Sequence, residues 1–575
     1  MTTGKTPANL KPSPGDLTVE QFCNYIAPAV WDQDTLLTWP PDVFAMVASL
    51  LLKSGAYCHA ISGWKRKPPR KKWIKDVERT GKSWRKNKQP PANVQQWHRT
   101  IIGMRNRRIP VSSLRSHQKL CEALLELLAA ADEACIGVGL ALVSIGKGNA
   151  FVFEASQQLQ MSAKTFGVST LCKQVHHSVV RVLPKLHTPQ SGMTIRSLTH
   201  NLALCPAGDV KAKWFERIRQ EPERRHCLNL LLVPWPRKVS PRDIQCVKPS
   251  KAELRDMPPR FGFFEYRPPH DADVLPRDLK NLLKNARQVV PQIDGVVFPE
   301  LALTRKQYTT ISADLIRQDT FLICGVRGAG KNYLRFDIPF RIQVGRNRIV
   351  RKPMQDTQQQ NKHHRWRLDK RKIVQYGLGS CLNVEWKWWE HISIGERELN
   401  FVALDDWLTV CALICEDLAR QDPVAEVVRA VGPNLVIALL MDGPQLNSRW
   451  PARYATVLAD DPGSSVLTLT SVGMAELSRP PSIQERSRAI ALWKDAKTGE
   501  AVSIELPQNA DGVVLSLSCV FRNEWAADGR DDGRSTGYPT LSGIHYVSSD
   551  KPSSAGVRKR LRTRSRPDFA LTARS

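Results

Sequence analysis

Three short stretches of this 575-residue chain end in side chains that could carry out acyl chemistry. Leu408-Thr-Val-Cys-Ala-Leu-Ile-Cys-Glu-Asp-Leu-Ala-Arg420 runs apolar up to Cys415, where Glu416 and Asp417 break the run. The pattern predicts a buried strand ending in a thiol, with two acids opening the next element. A thiol at a strand end above a helix N-terminus sits where its thiolate is stabilised. A single buried cysteine usually acts only as a small hydrophobe, so Cys415 alone decides nothing. Two further motifs change its meaning. Val296-Val-Phe-Pro-Glu300 is an apolar strand that delivers one carboxylate at its end, and Lys362-His-His-Arg-Trp-Arg-Leu-Asp369 supplies an ammonium. A carboxylate, an ammonium and a thiol at strand ends are the parts that acyl transfer needs. The acid removes the thiol proton, the ammonium stabilises the oxyanion and the thiol attacks.

The elements that must position these groups alternate along the chain. Strands are predicted at 227–234, 295–300, 320–325, 408–415, 434–440, 465–470, 489–493 and 512–520, with helices at 278–290, 304–317 and around 450–459. That alternation implies an α/β layered structure. The chain before residue 225 has a different texture. Residues 17–60 and 114–142 read as helical, with a dense apolar run from Val43 to Leu52 behind Pro40 and Pro41. Residues 143–224 mix Gly, Pro and short helical patterns and receive no assignment, and no repeat of solenoid period is present. The expected plan is a disordered N-terminus over 1–16, a mostly helical basic domain over 17–224, an α/β domain over 225–545 and a basic disordered tail over 546–575.

Lys and Arg number 84 against 55 acids, a formal charge of +29. Such a balance points to an anionic partner, nucleic acid first. In residues 64–108 only Asp76 and Glu78 are acidic, and Trp64, Trp73, Trp84 and Trp97 stand among the cations. Cations beside aromatic faces suit a phosphate backbone with stacked bases. The plainer alternative is a solvated helix face whose tryptophans anchor it to a core. Arg558 to Arg566 forms a second cationic stretch in the tail. The 13 cysteines include no CxxC pair, which argues against a zinc ribbon or a spaced disulfide framework and for a reducing, cytoplasmic compartment. No run reaches about 18 uninterrupted apolar residues, so no membrane span is expected, and the first residues carry no apolar core of signal-peptide length. Two motifs are set aside. Gly325-Val-Arg-Gly-Ala-Gly-Lys-Asn332 approximates a phosphate-binding loop, but Asn332 replaces the Ser/Thr and strand follows instead of helix. Leu458-Ala-Asp-Asp461, which is similar to a polymerase Asp-Asp box, ends a helical run and has no strand pairing around it.

The three chemical motifs, in this order, resemble the nitrilase, or carbon–nitrogen hydrolase, superfamily. Phe298-Pro-Glu300 is similar to its first motif, Lys362 with His364 to its Lys-x-His motif, and Cys415 to its nucleophile, with Cys415-Glu-Asp like the glutaminase domains of NAD synthetases. The likeness covers roughly 225–525. Arg365 departs from the usual leucine, and Lys370 is a rival for the lysine role. A second glutamate that orients the lysine has its best positional match in Gln375, with Glu385 and Glu390 as alternatives. The nitrilase-like domain associated with bacterial defence reverse transcriptases is the nearest likeness, which would place the chain in phage defence. The resemblance implies a four-layer αββα sandwich behind the helical domain. It implies Glu300 as general base, Cys415 as nucleophile, and Lys362 with the Glu416 N–H as oxyanion holders. A small amide or nitrile is the implied substrate, no metal or organic cofactor is called for, and homo-oligomers are common in such domains. Two other functions share these features: a nucleic-acid-binding or regulatory protein whose nitrilase-like domain is inactive or ligand-sensing, and an N-acyltransferase.

Overall fold

The computed structural model describes residues 17–28, 37–60, 70–141, 150–189, 192–217, 225–248, 257–268, 274–328, 330–344, 348–353, 358–478 and 487–550. The expectations for residues 1–16, Trp64 and the tail beyond 550 lie outside these described residues.

The chain forms a mixed α/β structure with two large sheets. One has seven strands in the order Ala501–Glu505, Ala489–Lys494, Ser465–Leu469, Leu435–Leu439, Thr409–Ile414, Arg397–Ala403 and Val210–Glu216. The other runs Gln358–Asn361, Lys331–Asp337, Phe321–Gly328, Gly295–Val297, Cys227–Leu232, Gly512–Trp525 and Asp531–Val547, with the short strand Leu303–Thr304 also beside Phe321–Gly328. Thr409–Ile414 and Leu435–Leu439 are buried along their whole length and pair in parallel. This explains their unbroken apolar sequence, because a strand covered on both faces has no solvent side to mark with polar residues.

Side-chain alternation divides the core. Leu230, Leu232, Val297 and Ile323 of one sheet share an apolar cluster with Val410, Ala412, Ile414 and Ile437 of the other. Their neighbours Leu231, Val296 and Leu322 meet Leu279 and Leu283 of the helix Val274–Val289, and Ile311 and Leu315 of the helix Arg305–Arg317. On the far side, Cys411, Leu413, Val436 and Ala438 meet Ala455 and Leu458 of the helix Trp450–Asp460.

That last cluster continues into the N-terminal helices Val19–Ile26, Pro40–Ser54, Ala92–Ile102, Gln118–Ala134 and Ala150–Phe166. Pro40 and Pro41 occupy the first turn of their helix, where a missing N–H costs nothing. The sheet crosses the boundary expected at residue 225. Val210–Glu216 adds in parallel to Arg397–Ala403, and its burial alternates strictly along the strand. This short period-two signal lies in the stretch that sequence reading left unassigned.

The basic stretch forms the helix Arg70–Asn87. Trp73 and Trp84 are buried on its inner face, and the Trp84 Nε1–H donates to the Thr38 carbonyl at 2.9 Å. These rings anchor the helix and are not free to stack on bases. Arg70, Lys71, Lys72, Lys75, Arg79 and Lys82 face solvent. Among the described residues no helix is long and apolar enough to cross a membrane. The phosphate-loop-like stretch spans a β-hairpin between Phe321–Gly328 and Lys331–Asp337. Asp461 is structural, accepting from Arg196 at 3.0 Å and from Arg429 at 2.7 Å.

Glu216 gives a test of this junction. It is buried, and burial raises its carboxyl from 4.5 to about 8, only partly offset by a hydrogen bond from Ser156. Between those values the folded state holds a proton that the unfolded chain releases, so stability falls as pH rises through the window. Glu216→Gln is expected to flatten that dependence. Its Tm should exceed wild type at pH 8, and the advantage should vanish near pH 4, as measured by thermal unfolding at both values.

Candidate active site

The strand Gly295–Val297 ends two residues before Pro299 and Glu300. Gly325 of the adjacent strand lets this turn pack close. A Cβ there would lie 2.5 Å from both the Glu300 Cα and the Leu301 N. Glu300 is buried, and its Oε2 accepts the Met441 N–H at 2.8 Å. Its Oε1 lies 2.7 Å from the Lys362 Nζ and accepts from Asn332 Nδ2 at 2.8 Å.

Lys362 directly follows Gln358–Asn361, which pairs antiparallel to Lys331–Asp337. Its backbone N–H donates to the Asn332 carbonyl at 2.9 Å, which places both side chains at one end of the sheet. Glu390 closes the group. It ends the strand Lys387–Glu390, held in parallel against Phe261–Tyr266. Its Oε2 accepts from Lys362 Nζ at 2.6 Å and from the Trp366 N–H at 3.1 Å, and its Oε1 accepts from Asn332 at 2.8 Å. An ammonium and a side-chain amide thus join the same two carboxylates. Gly325→Ala should push Glu300 out of this ring, cost about 1–3 kcal/mol in denaturant unfolding, and slow modification of Cys415 by a thiol reagent.

Cys415 follows the strand Thr409–Ile414 and has φ of +49°. A left-handed cysteine costs about 1–2 kcal/mol, and the sharp turn lifts the thiol off the strand line. The next element is a five-residue 3₁₀ turn, Cys415–Ala419, and not the α-helix expected from the sequence. The macrodipole of a long helix is therefore missing here. Burial pushes the thiol well above its ordinary pKa, Glu300 adds to this, and Lys362 opposes it. The resting thiol is protonated and needs a base. Burial alone would lower the Lys362 pKa, but Glu300 and Glu390 outweigh it and hold the group charged.

Cys415 and Glu416 line a cavity of about 840 Å³, together with Met441, whose N–H binds Glu300. Glu416 is half-buried and pairs with Arg420 at 2.9 Å. Of the residues singled out from sequence, Glu300, Lys362 and Cys415 form one electrostatically coupled group. Lys370 does not join it, since it lies on the surface paired with Glu385 at 2.7 Å. His364 turns away, its Nε2 accepting from Arg397 at 3.0 Å. Gln375, the best positional match for the second glutamate, donates to Ser478 at 2.8 Å instead. Of the three candidates it is Glu390 that holds the lysine, because its strand ends against the ring. Sequence reading missed Asn332, set aside inside a glycine-rich motif. It also missed Asp442, which accepts from Tyr376 at 2.6 Å, Arg449 at 2.8 Å and Trp450 at 2.9 Å in the cavity wall.

No protein-family description matches the chain, and no curated protein is similar to it. Similar solved structures include a Saccharomyces cerevisiae protein of branch 10 of the nitrilase superfamily, at 12% identity and TM-score 0.27, spanning 50% of this chain and 89% of that one. An amidase from Nesterenkonia sp. follows at 11% identity and TM-score 0.26, spanning 57% and 92%. A carbon–nitrogen hydrolase superfamily protein from Xanthomonas campestris, solved with an arsenic adduct in its active site, is 15% identical with TM-score 0.26, spanning 51% and 89%. Two of these three similar structures are thus proteins of the nitrilase, or carbon–nitrogen hydrolase, superfamily, and the third is an amidase.

Proposed function

We propose that residues 225–545 form a four-layer αββα unit of the nitrilase type, and that the chain is an amidohydrolase cleaving a non-peptide C–N bond in a small molecule. One observation carries this reading: the buried Lys362 ammonium lies between Glu300 and Glu390, at 2.7 and 2.6 Å, and is coupled to Cys415. Glu300 takes the thiol proton and the thiolate attacks the amide carbon. Lys362 and the Glu416 N–H hold the oxyanion. Glu300 then passes the proton to the leaving nitrogen, and ammonia or an amine departs. Water, deprotonated by Glu300, attacks the thioester, and the acid leaves as Cys415 regains its proton. Ammonia release from a panel of primary amides tests the reading. Wild type should release it and Cys415→Ala should not. If wild type forms only N-acyl product when an amine is added, the chain is an acyltransferase.

The solvent face of Arg70–Asn87 favours a second reading, contact with a nucleic-acid backbone in the defence setting that the sequence suggests. With Trp73 and Trp84 buried, the contact would be electrostatic and indifferent to sequence. Duplex binding should weaken steeply with salt, and neutralising Lys71, Lys72 and Lys75 should flatten that slope. A response to salt that is already flat in wild type would remove this reading.

A further inference from the structure

We infer that the substrate is an anionic amide, recognised at its far end by a cationic wall of the cavity beside Cys415. The inference rests on the amidohydrolase reading and names the substrate class. The wall contains Arg371, Lys372, Arg420, Arg449 and Arg453. Its carboxylates belong to Asp369, Glu416 and Asp442, and each is already engaged. Asp369 caps its helix by accepting the Lys372 N–H at 3.0 Å. Glu416 is taken by Arg420 at 2.9 Å. Asp442 is filled by Tyr376, Arg449 and Trp450. Arg371 and Arg453 therefore stand exposed with no acidic partner among the described residues. Among the described residues Lys372 reaches the carbonyl of Arg367, at 3.0 Å, and no carboxylate.

Two further features fit such a ligand. The positive wall continues past the cavity. Lys372 and Arg420 line an adjoining cavity of about 500 Å³ together with Arg365 and Arg367. Trp450 and Tyr454, packed edge to face at 6.1 Å, give the first cavity an apolar side for the carbon chain. The volume is ample for an acyl chain with a charged end group. Carboxylate and phosphate share this chemistry, since guanidinium binds both with charge-assisted hydrogen bonds.

Calorimetric binding tests the inference independently of turnover. The full chain carrying Cys415→Ala is titrated with three amides of matched length, ending in a methyl, a carboxylate or a phosphate monoester. At low salt at least one charged amide should bind about tenfold or more tightly than the neutral one, and the tighter of the two identifies the anion. Adding Arg371→Gln and Arg453→Gln should bring the charged-to-neutral ratio close to one. Circular dichroism on the same protein shows whether it is folded. Equal or tighter binding of the neutral amide, no binding by any of the three, or a ratio that survives in the folded arginine variant overturns the substrate class. Failure of the wild-type protein to release ammonia from all three sinks the amidohydrolase reading instead, whatever the binding ratio.

Discussion

Lys362→Met is expected to destabilise the protein by about 3–5 kcal/mol and to abolish the reactivity of Cys415. The ammonium is 2% exposed and is the one cation within 2.7 Å of both Glu300 and Glu390 among the described residues. Without it two buried carboxylates face each other across Asn332 alone, and one must bind a proton or the ring must open. Denaturant unfolding measures the loss. The double variant Lys362→Met/Glu390→Gln removes one orphaned charge, so it should recover part of the stability and none of the reactivity. A loss below about 1 kcal/mol in the single variant would place the lysine outside a buried ion cluster.

Arg530→Met should produce a loss of similar size, at a residue that does not line the cavity. Arg530 is fully buried, and its guanidinium binds Asp528 at 2.9 Å, Asp132 at 3.2 Å and Glu133 at 2.6 Å. It also donates to the Leu198 carbonyl at 2.7 Å. The turn between the two long strands Gly512–Trp525 and Asp531–Val547 is thereby fixed to the helix Gln118–Ala134. Methionine fills similar volume but strands the carboxylates, for an expected cost of about 3–5 kcal/mol. Thiol labelling of Cys415 in the folded fraction should persist, which separates this effect from that of Lys362→Met.

The legible parts of the sequence were those in which local pattern and site coincide. Glu300 and Cys415 each end an apolar strand, so a break in hydrophobicity marks them. The strand–helix alternation after residue 225 follows from the same periodicities. Lys362 needed a motif resemblance, because nothing in its own neighbourhood separates it from Lys370. Glu390 was only one of three candidates. Its place depends on the parallel pairing of Lys387–Glu390 with the distant Phe261–Tyr266, and such pairing leaves no local trace. Asn332 was hidden for a related reason, since its glycine-rich neighbours suggested a phosphate loop while the hairpin aims its amide at two carboxylates. Val210–Glu216 shows the limit for domain boundaries. A seven-residue strand in the stretch left unassigned joins the N-terminal helices to the seven-stranded sheet.

The central claim is that Cys415 is a nucleophile activated by Glu300. An electrophilic thiol probe, with adducts located by mass spectrometry across all 13 cysteines, tests it most directly. The account predicts preferential labelling of Cys415 in wild type, lost in Glu300→Gln while the protein stays folded. Equal labelling of several cysteines, or Cys415 labelling that survives Glu300→Gln unchanged, would contradict it.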